Sequence, residues 1–186
     1  MGFIDLLLLS FSLAADAFSV SLCKGLNLKK NLLRNALIIS AFFGGFQALM
    51  PALGWLLGKG LAVYIEKYGH YIACGILCFI GIKMIVDAIR GGEKIKDGID
   101  IKELLILSVA TSIDALAVGF SFALNENVGI ILSCAVIGAV TFAVCVGGVF
   151  LGHAFGTKFG KPANIAGGCV LIILGVKMLL EGIGII

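Results

Sequence analysis

Two aspartates, Asp16 and Asp114, stand near the middle of long apolar stretches, in the contexts Ala-Asp-Ala and Ile-Asp-Ala. A carboxylate at the centre of a bilayer costs on the order of 2.5–3.5 kcal/mol even on conservative insertion scales, so it is kept where it faces a partner, a cavity or an ion. Small polar side chains accompany both. Ser12, Asp16 and Ser19 follow one another at i, i+4 and i+7, and Thr111 and Ser112 lie within a turn of Asp114. Gln47 adds a neutral amide oxygen, and Pro51 frees the backbone carbonyl of Gln47 by lacking the N–H that would reach it. Two carboxylates among hydroxyl, amide and carbonyl oxygens suit hard or borderline divalent ions such as Mg, Ca or Mn. One divalent ion, or two protons, neutralises the pair, so exchange of metal for protons is the electrostatic expectation. The purely structural alternative is a protonated aspartate bonded to a neighbouring helix, a simple proline kink, and hydroxyls bonded back to their own helices.

Other reactive groups fit packing better than chemistry. Lys83 and Lys177 lie inside apolar stretches, each with an acid four residues later, Asp87 and Glu181. That spacing predicts local ion pairs; the sharper alternative is a lysine that counters the aspartates when no metal is bound. His70 and His153 fall near the ends of apolar stretches and read as interfacial. The six cysteines lie almost wholly in apolar stretches and read as small hydrophobes, including Cys74 and Cys78, which are one helical turn apart. There is no Gly-x-x-x-x-Gly-Lys-Ser/Thr loop for nucleotide hydrolysis. Neither aspartate lies in the Gly-x-Gly-Asp element of an intramembrane aspartyl protease, so no enzyme and no resident cofactor are expected.

The elements that carry these residues follow from composition. The chain has 186 residues, 60% hydrophobic, 13% charged and 26 of them glycine. Soluble domains reach roughly 45–50% apolar with glycine included, and a chain near 150 residues buries only about 70% of its unfolded surface. The composition excludes a soluble enzyme, a disordered chain and a nucleic-acid-binding module, and requires a lipid bilayer. Spans of about 20 apolar residues are expected at 3–23, 36–58, 70–90, 103–124, 128–152 and 163–186, with the first retained rather than cleaved as a leader. The fold class is all-α: a polytopic membrane protein of six transmembrane helices. Ten basic residues fall after spans 1, 3 and 5 (Lys24, Lys29, Lys30, Arg34, Arg90, Lys94, Lys96, Lys102, Lys158 and Lys161), against Lys59 and Lys67 on the other side. This bias places the first set in the cytoplasm and both termini outside.

The chain repeats itself. LLLLSFSLAADAFSVSL at 6–22 matches LLILSVATSIDALAVGF at 104–120, bringing Asp16 onto Asp114 at an offset of 98. GIKMIVDAI from Gly81 matches GVKMLLEGI from Gly175 at an offset of 94, and Gly44, Gly54 and Gly58 match Gly138, Gly148 and Gly152 at the same offset. The expected organisation is a three-helix unit over 1–90, a cytoplasmic linker at 91–102 and a second three-helix unit over 103–186. Units with an odd number of spans insert in opposite senses, giving the inverted repeats of many secondary transporters. Duplication kept for symmetric packing is the other reading, since Gly54-xxx-Gly58 and Gly148-xxx-Gly152-xxx-Gly156 favour close helix approach on their own.

Four pieces together, DAFSVS at 16–21, FQALMPALGW at 46–55, GIKM at 81–84 and SIDALAVG at 112–119, resemble the manganese efflux pump family, MntP, in order and along the whole chain. The resemblance implies export of Mn²⁺ from a bacterial cytoplasm across the plasma (inner) membrane, with Mn²⁺ as transported substrate, and implies that Asp16 and Asp114 are essential. Some members of that family carry an acid where this chain has Gln47. Export of another divalent cation or of a small amino acid is the alternative transport function, and a non-transporting membrane scaffold is the alternative of a different class.

Overall fold

The computed structural model describes residues 2–28, 30–89, 100–123, 129–159 and 161–183; within these, the side chains of 58–70, 72–73, 87, 159, 178 and 181–182 are not described. The expected linker at 91–102 therefore lies almost wholly outside the described residues, as do the side chains of His70, Asp87 and Glu181.

The elements among the described residues are all helices, with no strand: α1 (Phe3–Gly25), α2 (Leu32–Ile89), α3 (Ile101–Ala110), α4 (Ile113–Ala123), α5 (Ile130–Phe159) and α6 (Lys161–Ile183). Charges suit the helix ends. Asp5 lies in the first turn of α1, Lys24 in its last, and Asp100 caps α3 by accepting from Lys102 N at 2.9 Å and Glu103 N at 3.4 Å. Three helical segments are long and apolar enough to cross a bilayer, Phe3–Gly25, Leu32–Leu57 and Ile130–Lys158, and α3 with α4 make a fourth when taken as one bent span.

Polarity is inverted relative to a water-soluble protein. Ile131, Leu56 and Ile4 are exposed at 85%, 73% and 72%, while Ser10, Gln47, Ser108, Thr111, Ser112 and Thr141 are fully buried. Lipid leaves apolar side chains at no disadvantage outside, and polar ones gain by meeting each other inside. The molecule is a polytopic helical membrane protein.

Two expectations change at this level. The stretches 36–58 and 70–90 are expected as separate helices, but helical backbone runs without a break from Leu32 to Ile89. It is not one rod, which at 1.5 Å per residue would be about 87 Å long. Its first arm, Leu32–Leu57, packs against α4 and α5, whereas Gly81 and Met84 in the second arm meet Gly168 and Gly167 of α6. The stretch 103–124 is expected as one helix, but it breaks at Thr111 and Ser112, and α3 and α4 meet at 44°.

Helix directions follow from the close glycine approaches. Phe18 faces Gly148, Leu22 faces Gly152 and Leu26 faces Gly156, so α1 and α5 run parallel. Gly44 meets both Gly138 and Phe142, and Ala48 meets Gly138, so the first arm of α2 runs against α5. Gly81 meets Gly168 while Cys74 meets Gly175, so the second arm and α6 are antiparallel. Several of these contacts come in pairs that the sequence offsets relate: Gly148 lies on Phe18 O as Gly54 lies on Leu116 O, and Gly81 on Gly168 O as Gly175 on Cys74 O.

One end of the bundle gathers the ends of several helices. Lys24 of α1 pairs with Glu103 of α3 at 2.7 Å. Lys161 of α6 donates to Ile89 O at 3.3 Å, and His153 Nδ1 lies 2.7 Å from Leu28 O.

Candidate functional site

Gln47 is the joint of the site. It lies fully buried on the first arm of α2, one turn before Pro51. Its Nε2 donates to Leu13 O at 3.1 Å, and its Oε1 accepts from Ser112 Oγ at 2.6 Å. Leu13 is three residues before Asp16 and Ser112 is two before Asp114. One amide thus ties together the two segments that carry the aspartates. Both of its polar atoms are satisfied, as burial demands.

The aspartates differ in setting. Asp16 lies within α1, only 6% exposed, and points into the bundle rather than into lipid. Lys177 of α6 brings Nζ to 3.4 Å from Asp16 Oδ1. Asp114 is half-buried in the first turn of α4, just past the break, and its Oδ1 accepts from Ala115 N at 2.8 Å. The break supplies that helix start: Ser112 O accepts from Leu116 N, and the positive end of the α4 dipole favours a carboxylate there. A helix broken at membrane depth is tolerated where it is buried in protein or lines a cavity.

The hydroxyls sort by partner. Thr111 Oγ1 donates to Leu107 O at 3.0 Å, and Ser19 Oγ to Ala15 O at 2.9 Å, so both bond back to their own helices. Ser112 alone of the expected hydroxyls crosses to another helix. Ser12 is exposed although it lies one turn before buried Asp16, so the expected polar face does not extend to it. Thr141, the counterpart of Gln47 at the offset of 94, is fully buried, and its hydroxyl has no hydrogen-bond partner among the described residues.

Lys177 reaches Asp16, 161 residues away in sequence; the local partners expected from spacing, Asp87 and Glu181, have side chains outside the described residues. Lys83 forms no ion pair among the described side chains, which do not include Asp87. Among the described residues no three His, Cys, Asp or Glu side chains group to hold a metal.

A helical membrane protein with carboxylates and an amide held in its interior is the class that fold and site define. A family model described as "Putative manganese efflux pump" matches residues 30–179. A protein of Acetivibrio thermocellus named "Putative manganese efflux pump MntP" is 45% identical over 188 residues, spanning 100% of this chain and 94% of its own. Relatives of the same name from Desulfitobacterium hafniense (44% identical, 99% of this chain and 97% of the relative) and Clostridium perfringens (40%, 100% and 98%) are similar over the same extent. No solved structure matches. The chain belongs to the manganese efflux pump family.

Proposed function

We propose that this chain is a secondary transporter that exports Mn²⁺ from the cytoplasm across the plasma membrane, holding the ion between Asp16 and Asp114. The observation that carries the reading is Gln47: its hydrogen bonds to Leu13 and Ser112 couple the two aspartate segments inside the bundle. Gln47 itself, with its amide oxygen and the carbonyl that Pro51 frees, stands as the neutral third ligand. The two charges of Mn²⁺ match the two carboxylates, and two protons would match them equally, so exchange for protons closes the cycle without nucleotide hydrolysis.

The architecture that serves this is a pair of inverted three-helix repeats, in which the two arms of α2 act as separate spans and α3 with α4 as one. Related contacts at Gly54 and Gly148, and at Gly81 and Gly175, support it. Inverted repeats let one half take the conformation of the other, which moves access from one face to the other. The end of the bundle bearing Lys24, Glu103 and Lys161 is then cytoplasmic, and both termini are outside.

Inverted vesicles containing the native chain are expected to accumulate Mn²⁺ and to release protons as they do so. Asp16→Ala and Asp114→Ala vesicles are expected to do neither. Uptake without proton movement removes the exchange. Equal uptake by the aspartate variants removes the site, as a scaffold would require. Uptake of another divalent ion in preference to Mn²⁺ reassigns the substrate.

A further inference from the structure

The two halves of the chain hold like segments in unlike arrangements. At the repeat offset of 98, Leu13 and Ala14 of α1 correspond to Thr111 and Ser112. α1 runs unbroken through its pair, whereas α3 and α4 break at theirs and meet at 44°. The tie to the neighbouring helix differs in the same way. Gln47 Nε2 donates to Leu13 O at 3.1 Å. Thr141, the counterpart of Gln47 on α5, is fully buried, and its hydroxyl has no hydrogen-bond partner among the described residues. We propose that Thr141 is a positioning residue for the other access state of the transporter, in which its hydroxyl donates to Thr111 O. In that state α3 and α4 join into one helix, and α1 breaks at Leu13 and Ala14. This deepens the export reading and rests on the inverted repeats of that reading.

Three observations carry the inference. The halves match bond for bond just before they diverge. Ser10 Oγ donates to Leu6 O at 2.6 Å and Ser108 Oγ to Leu104 O at 2.8 Å, both residues of each bond being counterparts at the offset of 98. The break three residues on is therefore a different arrangement of equivalent chain. The Thr141 hydroxyl is also unusual. A helical threonine can always bond back to its own helix, as Thr111 Oγ1 does to Leu107 O at 3.0 Å. Thr141 has not taken that bond, although a buried hydroxyl left unpaired is costly. Finally, the backbone has room for the tie. A carbonyl has two lone pairs, so Leu13 O receives Gln47 while α1 stays continuous. Thr111 O in a joined α3–α4 stands in the same position. In the broken arrangement Ala115 N, the donor that an unbroken helix gives to Thr111 O, donates to Asp114 Oδ1 at 2.8 Å.

The exchange reaches the aspartates through the backbone. Joining α3 to α4 moves Ala115 N from Asp114 Oδ1 to Thr111 O. Breaking α1 takes Ala17 N, the counterpart of Ala115, out of the helical ladder and turns it toward the carboxylate of Asp16. In each state one aspartate is held by the start of its own helix, and the hold passes from one to the other as access changes. Threonine reaches less far than glutamine, so the tie forms only when α5 closes on the Thr111 segment. The second bond of Gln47, from Ser112, has no equivalent, because the counterpart of Ser112 is Ala14. The two states are thus held unequally, in favour of the one with Gln47 tied.

The test uses Thr141→Val in the full chain, which keeps the branched shape and loses the hydroxyl. The variant is expected to melt in detergent at or above the native temperature, because the hydroxyl it removes is buried and unpaired. It is nevertheless expected to take up Mn²⁺ into inverted vesicles with a maximal rate lower by about twofold to tenfold, the population factor of one hydrogen bond. Thr141→Ser restores the hydroxyl and is expected to return most of the rate. Ser40→Ala removes another fully buried hydroxyl without a partner among the described residues and is expected to keep the native rate. A native rate in Thr141→Val overturns the proposal, as does an equal loss in Thr141→Ser or Ser40→Ala, or a rate that falls only together with the melting temperature. Amide hydrogen exchange supplies a measurement that needs no transport. At Ala15, Asp16 and Ala17, which open when α1 breaks, exchange is expected to be slower in Thr141→Val than in the native chain, and equal exchange overturns the proposal. Native vesicles that take up no Mn²⁺ overturn the export reading instead, and hydrogen exchange then decides the tie by itself.

Discussion

Gly44 and Gly138 press backbone to backbone, each against the carbonyl of the other. A side-chain carbon built on Gly44 would lie 2.8 Å from Gly138 O, and one built on Gly138 would lie 2.9 Å from Gly44 O. The two residues are counterparts at the repeat offset of 94, so a residue and its own repeat mate form the crossing of α2 with α5. Gly44→Val or Gly138→Val must separate these helices, at about 1–3 kcal/mol or more for overpacking. Gly45, one residue on, has nothing within 4 Å of its added carbon, and Gly45→Ala is expected to be neutral or to stabilise by up to about 1 kcal/mol through helix propensity. Thermal unfolding in detergent checks the contrast. Equal melting of the Gly44 and Gly45 variants would place the crossing elsewhere.

The Gln47 joint predicts a coupling rather than a simple loss. Gln47→Leu leaves the Leu13 carbonyl and the Ser112 hydroxyl buried without the bonds they make, at about 1–3 kcal/mol. Ser112→Ala leaves Gln47 Oε1 without its donor. The double variant removes both partners of the 2.6 Å bond, so its cost is expected to fall short of the sum by about 0.5–1.5 kcal/mol, the net worth of one hydrogen bond. Additive costs would mean that the two side chains do not act together.

At the end of the bundle, Lys24 and Glu103 close to 2.7 Å but remain 25% and 29% exposed. A half-solvated pair of this kind is worth about 0.2–1 kcal/mol. A double-variant cycle of Lys24→Ala and Glu103→Ala is expected to give a coupling in that range at low salt and a smaller one at high salt, where the charges are screened. A coupling of several kcal/mol, unchanged by salt, would assign the pair a buried structural role.

Much of this arrangement was legible in the chain, for reasons that differ by residue. Apolar stretches announce membrane helices because lipid imposes that composition on every span, and the interior direction of Asp16 follows from the cost of turning it outward. The break between α3 and α4 gave no sign. No proline or glycine marks it, and Thr111 and Ser112 are the small polar residues that also line unbroken helices. Helical spacing put Ser12 on the face of Asp16, yet Ser12 is exposed, because packing against neighbouring helices decides where a buried stripe ends. The contact of Lys177 with Asp16 was hidden for a deeper reason. Spacing along one helix reveals neighbours a turn away, whereas Asp16 is brought to Lys177 across 161 residues by the docking of α1 and α6.

The same substitution at the two aspartates is expected to give two different stabilities. Asp114→Asn keeps a side chain that can accept from Ala115 N, where Asp114 accepts at 2.8 Å, and gives up the interaction of a charge with the start of α4, about 0.3–1 kcal/mol. Asp16→Asn instead removes the charge that faces the Lys177 ammonium across 3.4 Å, an ion pair between helices with no equivalent at Asp114 among the described contacts of Lys83. Stability measured without divalent ions is therefore expected to fall further for Asp16→Asn than for Asp114→Asn. Adding Lys177→Met to Asp16→Asn is expected to cost less than the sum of the two single changes, since either change alone already breaks the pair. Both single variants are expected to lose Mn²⁺ export, so stability and transport separate. Additive costs for the two changes would show that the charge of Lys177 is indifferent to Asp16.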